Sequence, residues 1–169
     1  NAAHHWNQKQ ILYDEAARVP FIVSGWGVKK RGSVNKPHLV ASCLDLIPTF
    51  CDYAGAAMPK GLAGRSVRAL AESRKPKSPW RDSLVVHTEF CLFNKSHDVE
   101  GRMLRTRDYT YVAYSKGKLR EMLTDVRKDP GEMHNLAVDA GHKQTLARYR
   151  RMLADACGAT RDPFVVPSA

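Results

Sequence analysis

Two adjacent histidines, His4 and His5, stand five and four residues before Lys9 near the start of the chain. An ammonium is a compact charge that can stabilise negative charge developing on a transferred group and on its departing oxygen. By itself, Lys9 reads equally as an exposed lysine on a polar helix face, and His4 as part of a loose chain end. Farther along lie His97 and Arg105. An arginine fork can grip an oxyanion or a carboxylate through paired hydrogen bonds. The plainer reading is a solvated loop histidine and a strand-edge arginine. The four cysteines, Cys43, Cys51, Cys91 and Cys157, contain no C-x-x-C pair. Cys43, Cys51 and Cys157 sit in apolar sequence, so they are expected as buried small hydrophobes rather than nucleophiles. A hard cation wants about six or more oxygen ligands, and no cluster of acidic residues in the sequence supplies them, so no metal site is assigned.

Lys and Arg number 27 against 17 Asp and Glu, a formal charge of +10. That balance favours polyanions such as sulfated glycans, nucleic acid or anionic lipid. The basic residues are scattered apart from Lys29, Lys30 and Arg31 and the group Arg148, Arg150 and Arg151. No zinc-finger, helix-turn-helix or RNA-recognition pattern accompanies them, so specific nucleic-acid binding is not expected. No run approaches the roughly 20 apolar residues of a membrane span, and no membrane partner is expected.

The elements that must position these side chains follow from periodicity. Trp6 to Ala17 has helical spacing, and Phe21-Ile22-Val23 after Pro20 reads as a buried strand of an α/β sheet. Asp45 is placed to cap a helix with Pro48 in its first turn, Ile47, Cys51 and Ala54 on its inner face and Gly55 as its stop. Leu84 to Thr88 is a second candidate for a buried strand. From Gly101 the pattern changes. Arg102 to Thr106, Tyr109 to Tyr114 and Leu119 to Thr124 predict an antiparallel meander, and His142 to Cys157 an amphipathic helix covering one side of it. The expected class is α/β or α+β, divided into residues 1–90 and 91–169. The front part supplies two strands that look buried on both faces and too few neighbours to pair with them, as if the rest of their sheet were encoded elsewhere. Those unpaired edges predict self-association.

The run His4-His5-Trp6-Asn7-Gln8-Lys9 through Tyr13-Asp14-Glu15-Ala16-Ala17-Arg18-Val19-Pro20 resembles the stretch of type I sulfatases, of the alkaline phosphatase-like superfamily, that follows their metal-binding Asp-His/Asn-Gly motif. Asp45-Leu46-Ile47-Pro48-Thr49 is similar to that family's Asp-x-x-Pro-Thr helix, and Gly64-Arg65-Ser66 to its Gly-x-Ser loop. Arg105 to Tyr111 and Asp129-Pro130-Gly131-Glu132-Met133-His134-Asn135-Leu136 look like its C-terminal hairpin and Asp-Pro-x-Glu-x-x-Asn-Leu element. The members most resembled are bacterial sulfatases and N-sulfoglucosamine sulfohydrolase-like enzymes.

The resemblance implies the end of a sulfatase α/β domain followed by a small antiparallel sheet packed on a C-terminal helix. It implies hydrolysis of sulfate esters or sulfamates of sulfated carbohydrates by a formylglycine made from Cys or Ser in a Cys/Ser-x-Pro-x-Arg motif, with calcium beside it in the intact enzyme. This chain has no such motif. By the same resemblance Lys9 contacts the sulfate, His4 takes an active-site position, and His97 and Arg105 shape the substrate pocket. A periplasmic or extracellular parent would suit such a substrate, although nothing in the sequence fixes the compartment. The chain alone is expected to be inactive. The alternative is an autonomous basic module that binds sulfated glycans or other polyanions.

Overall fold

A computed structural model describes residues 3–5, 9–29, 31–92 and 95–168, with the side chains of residues 3, 92 and 95–97 outside the description. The chain forms two units, Asn1–Val19 with Ser83–Ala169, and Pro20–Asp82.

In the first unit a short helix, α1 (Asp14–Ala17), precedes a four-stranded sheet of β1 (Ser83–Leu92), β2 (Lys95–Thr106), β3 (Tyr109–Tyr114) and β4 (Glu121–Asp125). The strands are antiparallel and lie in sequence order, with Val85, Leu104, Tyr111 and Leu123 in register across them. Period-two alternation therefore sends Leu104, Tyr111, Ala113 and Leu123 into one core, where they meet Leu146, Tyr149, Leu153 and Cys157. Those four come from the last helix, Lys143–Thr160, which ends at Arg161 in the left-handed region (φ 57°). Met103 and Val112 face the other way and receive Leu12. The sheet is thus covered on both sides, which is why β3 reads buried at four consecutive positions.

The expected meander and its covering helix are present, with the helix running past Gly158. The helix expected over Trp6 to Ala17 is reduced to α1, and Trp6 to Gln8 lie outside the described residues. The physical reason is competition from the sheet. Residues 9–13 form a strap whose backbone groups are bonded to sheet side chains instead of to one another. Leu12 N–H donates to Tyr114 Oη (3.1 Å), and Thr88 Oγ1 donates to Gln10 C=O (2.8 Å). Leu84 to Thr88 belong to β1, an outer antiparallel strand rather than a parallel one.

The second unit holds α2 (Ser42–Ala54) and α3 (Arg68–Ala71), so the last helix of the chain is α4. No described residue of Pro20–Asp82 is in a strand, and Ile22 of the expected buried strand is 85% exposed. An extended apolar run becomes a strand only where neighbours satisfy its backbone, and none here pairs with it. Gly55 ends α2 as expected, at φ 65°. Pro48 lies in the helix interior rather than its first turn, and the packed face carries Asp45, Pro48 and Thr49, not Ile47, Cys51 and Ala54. Ile47 and Phe50 are exposed, as is Cys43.

Candidate functional site

Lys9 lies in a turn at the start of the strap with its side chain exposed. The strap is held at several points. Beyond the bonds from Tyr114 and Thr88, the Gln10 amide donates to the Cys91 carbonyl on β1. Leu12 fills a pocket over Met103 and Val112, and Gly101 lets it do so, since a β-carbon there would stand 2.7 Å from Tyr114 and 2.9 Å from Leu12.

Asp14, the first residue after the strap, is fixed by two groups far away in sequence. Arg105, from β2, sends Nε to Asp14 Oδ1 (2.9 Å) and Nη2 to Asp14 Oδ2 (3.0 Å), and its Nη1 to the Thr106 carbonyl. Glu132 Oε2 accepts the Asp14 backbone N–H at 2.6 Å. Glu132 is only 3% exposed, and its carboxylate is buried beside the hydroxyl of Thr110. Burial pushes its carboxyl up to about 7, reinforced by the negative charges of Asp14 and Glu15 and opposed by the Asp14 amide. The same burial and the Glu132 charge raise the Tyr13 phenol.

His4 stacks flat on Tyr13, with ring centroids 3.7 Å apart, and its Nε2 lies 3.9 Å from Glu15. His4 thus touches Tyr13, the last residue of the strap that Lys9 begins, and Arg105 holds Asp14 directly after it. His97 is in β2, and its side chain lies outside the described residues. Sequence reasoning quoted Glu132 inside a motif but gave it no role. Its signal was a glutamate directly after Asp-Pro-Gly, at a turn position that the backbone enters at φ 51°.

The second unit gives the Asp-x-x-Pro-Thr and Gly-x-Ser motifs a structural meaning. Asp45, fully buried, accepts the N–H groups of Ala41 (2.9 Å) and Arg65 (2.8 Å) and both forks of Arg81 (2.6 and 2.7 Å). Burial works against its ionised form, but these donors outweigh it and hold the carboxyl below the usual aspartate range. Thr49 Oγ1 donates to Asp45 C=O (2.6 Å) and accepts Val67 N–H (3.0 Å). Ser66 Oγ donates to Asp52 (2.6 Å). Pro48 cannot donate to the carbonyl of Leu44, and Gly64 packs against that oxygen so closely that a β-carbon would lie 1.7 Å from it. The helix motif clasps the loop motif, and neither presents a free catalytic group.

The donor chemistry of the described residues does not fit calcium. Among the described residues no three His, Cys, Asp or Glu side chains converge into a metal-holding group. No described helix is long and apolar enough to cross a membrane.

Residues 2–157 match the family described as N-sulphoglucosamine sulphohydrolase, C-terminal. The chain is 36% identical over 164 residues to the Delta 4,5-hexuronate-2-O-sulfatase of Bacteroides thetaiotaomicron, covering 96% of this chain and 33% of that protein. It is 34% identical over 146 residues to human arylsulfatase K, covering 80% of this chain and 25% of that one. A crystal structure from Bacteroides thetaiotaomicron VPI-5482 assigned to the sulfatases superposes with a TM-score of 0.83 at 34% identity, over 94% of this chain and 34% of its own. The chain thus spans a quarter to a third of the length of these relatives.

Proposed function

Since the chain belongs to the N-sulphoglucosamine sulphohydrolase C-terminal family, a C-terminal sulfatase region, we propose that it is part of an enzyme hydrolysing sulfate esters or sulfamates of sulfated carbohydrates. The observation that carries this is the match over nearly the whole chain to a hexuronate 2-O-sulfatase. The exposed ammonium of Lys9, on a strap anchored to the sheet, supports it. In this reading Lys9 neutralises charge on the sulfuryl oxygens and on the departing oxygen as the bond to sulfur breaks. His4 adds a second polar group, stacked on Tyr13 of that strap. The formylglycine nucleophile and calcium belong to sequence that this chain does not contain, since no Cys/Ser-x-Pro-x-Arg motif occurs in it.

The chain alone is therefore inactive, because nucleophile, metal and proton-transfer groups must act as one constellation. The test is turnover of 4-nitrophenyl sulfate with added calcium. None is expected from this chain, and turnover that vanishes in Lys9→Ala would overturn the assignment of the nucleophile to other sequence. Joining the chain to a catalytic half with Cys-x-Pro-x-Arg should restore hydrolysis, and Lys9→Ala should then abolish most of it. The exposed apolar side chains of α2, Leu44, Ile47 and Phe50, fit a surface meant to be covered. In the isolated chain we expect a second copy to cover it.

A further inference from the structure

We propose that Glu132 and Arg105 form a two-point clamp on Asp14 that sets the position of the strap bearing Lys9, which makes both of them positioning residues for the sulfate site. The role assigned to Lys9 rests on the function proposed above, whereas the clamp itself does not.

Three observations converge on Glu132. Its side chain reaches across 118 residues of sequence to accept the Asp14 amide. It does so from a left-handed backbone, φ 51°, that a non-glycine residue adopts only at a cost, although Gly131 stands directly beside it. And its carboxylate is buried against the sheet, with the Thr110 hydroxyl of β3 beside it and no described cation in contact. Arg105 supplies the complementary half by neutralising the Asp14 carboxylate with two hydrogen bonds. Asp14, directly after the strap, is thus held at its backbone by an acid and at its side chain by a base. Leu12, buried two positions earlier, is a second point of attachment for the strap.

The clamp is sensitive to protons. The groups that bear on Glu132 are Asp14, Glu15 and Tyr13 from the strap and α1, the Thr110 hydroxyl and Tyr114 from β3, and Arg105 from β2 acting through Asp14. No cation among them pairs with the Glu132 carboxylate directly in the described contacts, so an ionised Glu132 carries an uncompensated buried charge. Its carboxyl titrates at about 7 in place and near the ordinary glutamate value once the strap lifts. The sign follows. Docking is fully supported below the released-state value and weakens as pH rises towards 7. Opening should increase about tenfold per pH unit across that interval and level off above it.

The experiment is hydrogen exchange on this chain, followed by mass spectrometry on peptides covering residues 9–17, between pH 5 and pH 8 and corrected for intrinsic rates. Peptides from β3 and β4 report the global fold. In the wild type, strap protection should fall with rising pH and level off near 7, while the sheet stays protected. Glu132→Gln, fixed neutral, should flatten that profile. Glu132→Ala and Arg105→Ala should each lower strap protection at every pH. A wild-type strap whose protection ignores pH would overturn the proposal, as would full strap protection in both alanine variants. If a variant lost sheet protection as well, the wild-type profile alone would decide. Lys9→Ala should leave strap protection intact. If it also left turnover intact in the enzyme joined to its catalytic half, the sulfate role of Lys9 would fall and the clamp would stand.

Discussion

Asp162 receives both Nε and Nη2 of Arg102, at 2.7 and 2.9 Å, and the two side chains are almost entirely enclosed. Arg102 comes from the middle of the sheet and Asp162 from the segment after α4, so the pair fastens the end of α4 to β2. Phe164 completes the arrangement, with its N–H on Asp162 Oδ1 (3.1 Å) and its ring under the Arg102 guanidinium (4.8 Å). Arg102 keeps the Glu100 carboxylate (2.9 Å) when Asp162 is removed, so Asp162→Ala should cost about 1.5 to 3 kcal/mol, the loss of its charged hydrogen bonds. Urea denaturation checks it.

The same pair sets an acid limit. The Arg102 hydrogen bonds lower the Asp162 carboxyl to about 2, against the effect of burial. A depressed acid contributes stability above its unfolded value and loses it as pH falls through the folded one. Melting temperature should therefore drop between about pH 4 and pH 2. Asp162→Asn should lack that portion of the decline.

Leu153 is 0% exposed at the centre of the α4 face, with Leu146 one side of it and Cys157 the other. Leu153→Ala should destabilise by about 2 to 5 kcal/mol, and Leu146→Ala by a similar or smaller amount. Unchanged denaturation midpoints would show that α4 is not packed on the sheet as described.

Gly64→Ala should lower the stability of Pro20–Asp82 by about 1 to 3 kcal/mol, because the added methyl meets the rigid Leu44 carbonyl rather than a movable side chain. Hydrogen exchange in α2 would report the change. Gly61→Ala, at a position with open space but φ 83°, gives a comparison in which strain acts without collision.

Sedimentation across a concentration series should show the isolated chain associating. Phe50→Glu, on the exposed side of α2 where Phe50 is 64% exposed, should shift it towards monomer. A monomer at all concentrations would mean that these apolar residues need no cover.

The sheet and α4 were legible because each segment carries its own period and its own stop. The strap was not. Its residues have helical spacing, and only Tyr114, Thr88 and Glu132, remote in sequence, offer the bonds that replace the helical ones. The face of α2 was misjudged for a related reason. Hydrophobic spacing locates the side meant for burial, whereas the side buried within this unit is set by Asp45, whose partners lie 4, 20 and 36 residues away. Lys9 and His4 were found through resemblance, and the stacking of His4 on Tyr13 at the end of the strap could be seen only in three dimensions. Glu132 was missed because a glutamate in a turn ordinarily faces water.

The long reach of Glu132 also orders events during synthesis. The strap leaves the ribosome ahead of the surfaces that receive it, since β1 to β3 and the turn at Glu132 follow as much as 118 residues later. At roughly 5 to 20 residues per second, Lys9 waits about 6 to 24 s before its anchor exists. Through that interval Leu12 has no pocket, and the strap is open to chaperones and proteases. Assembly of the proposed sulfate-binding edge is thus timed by translation of the far end of the chain.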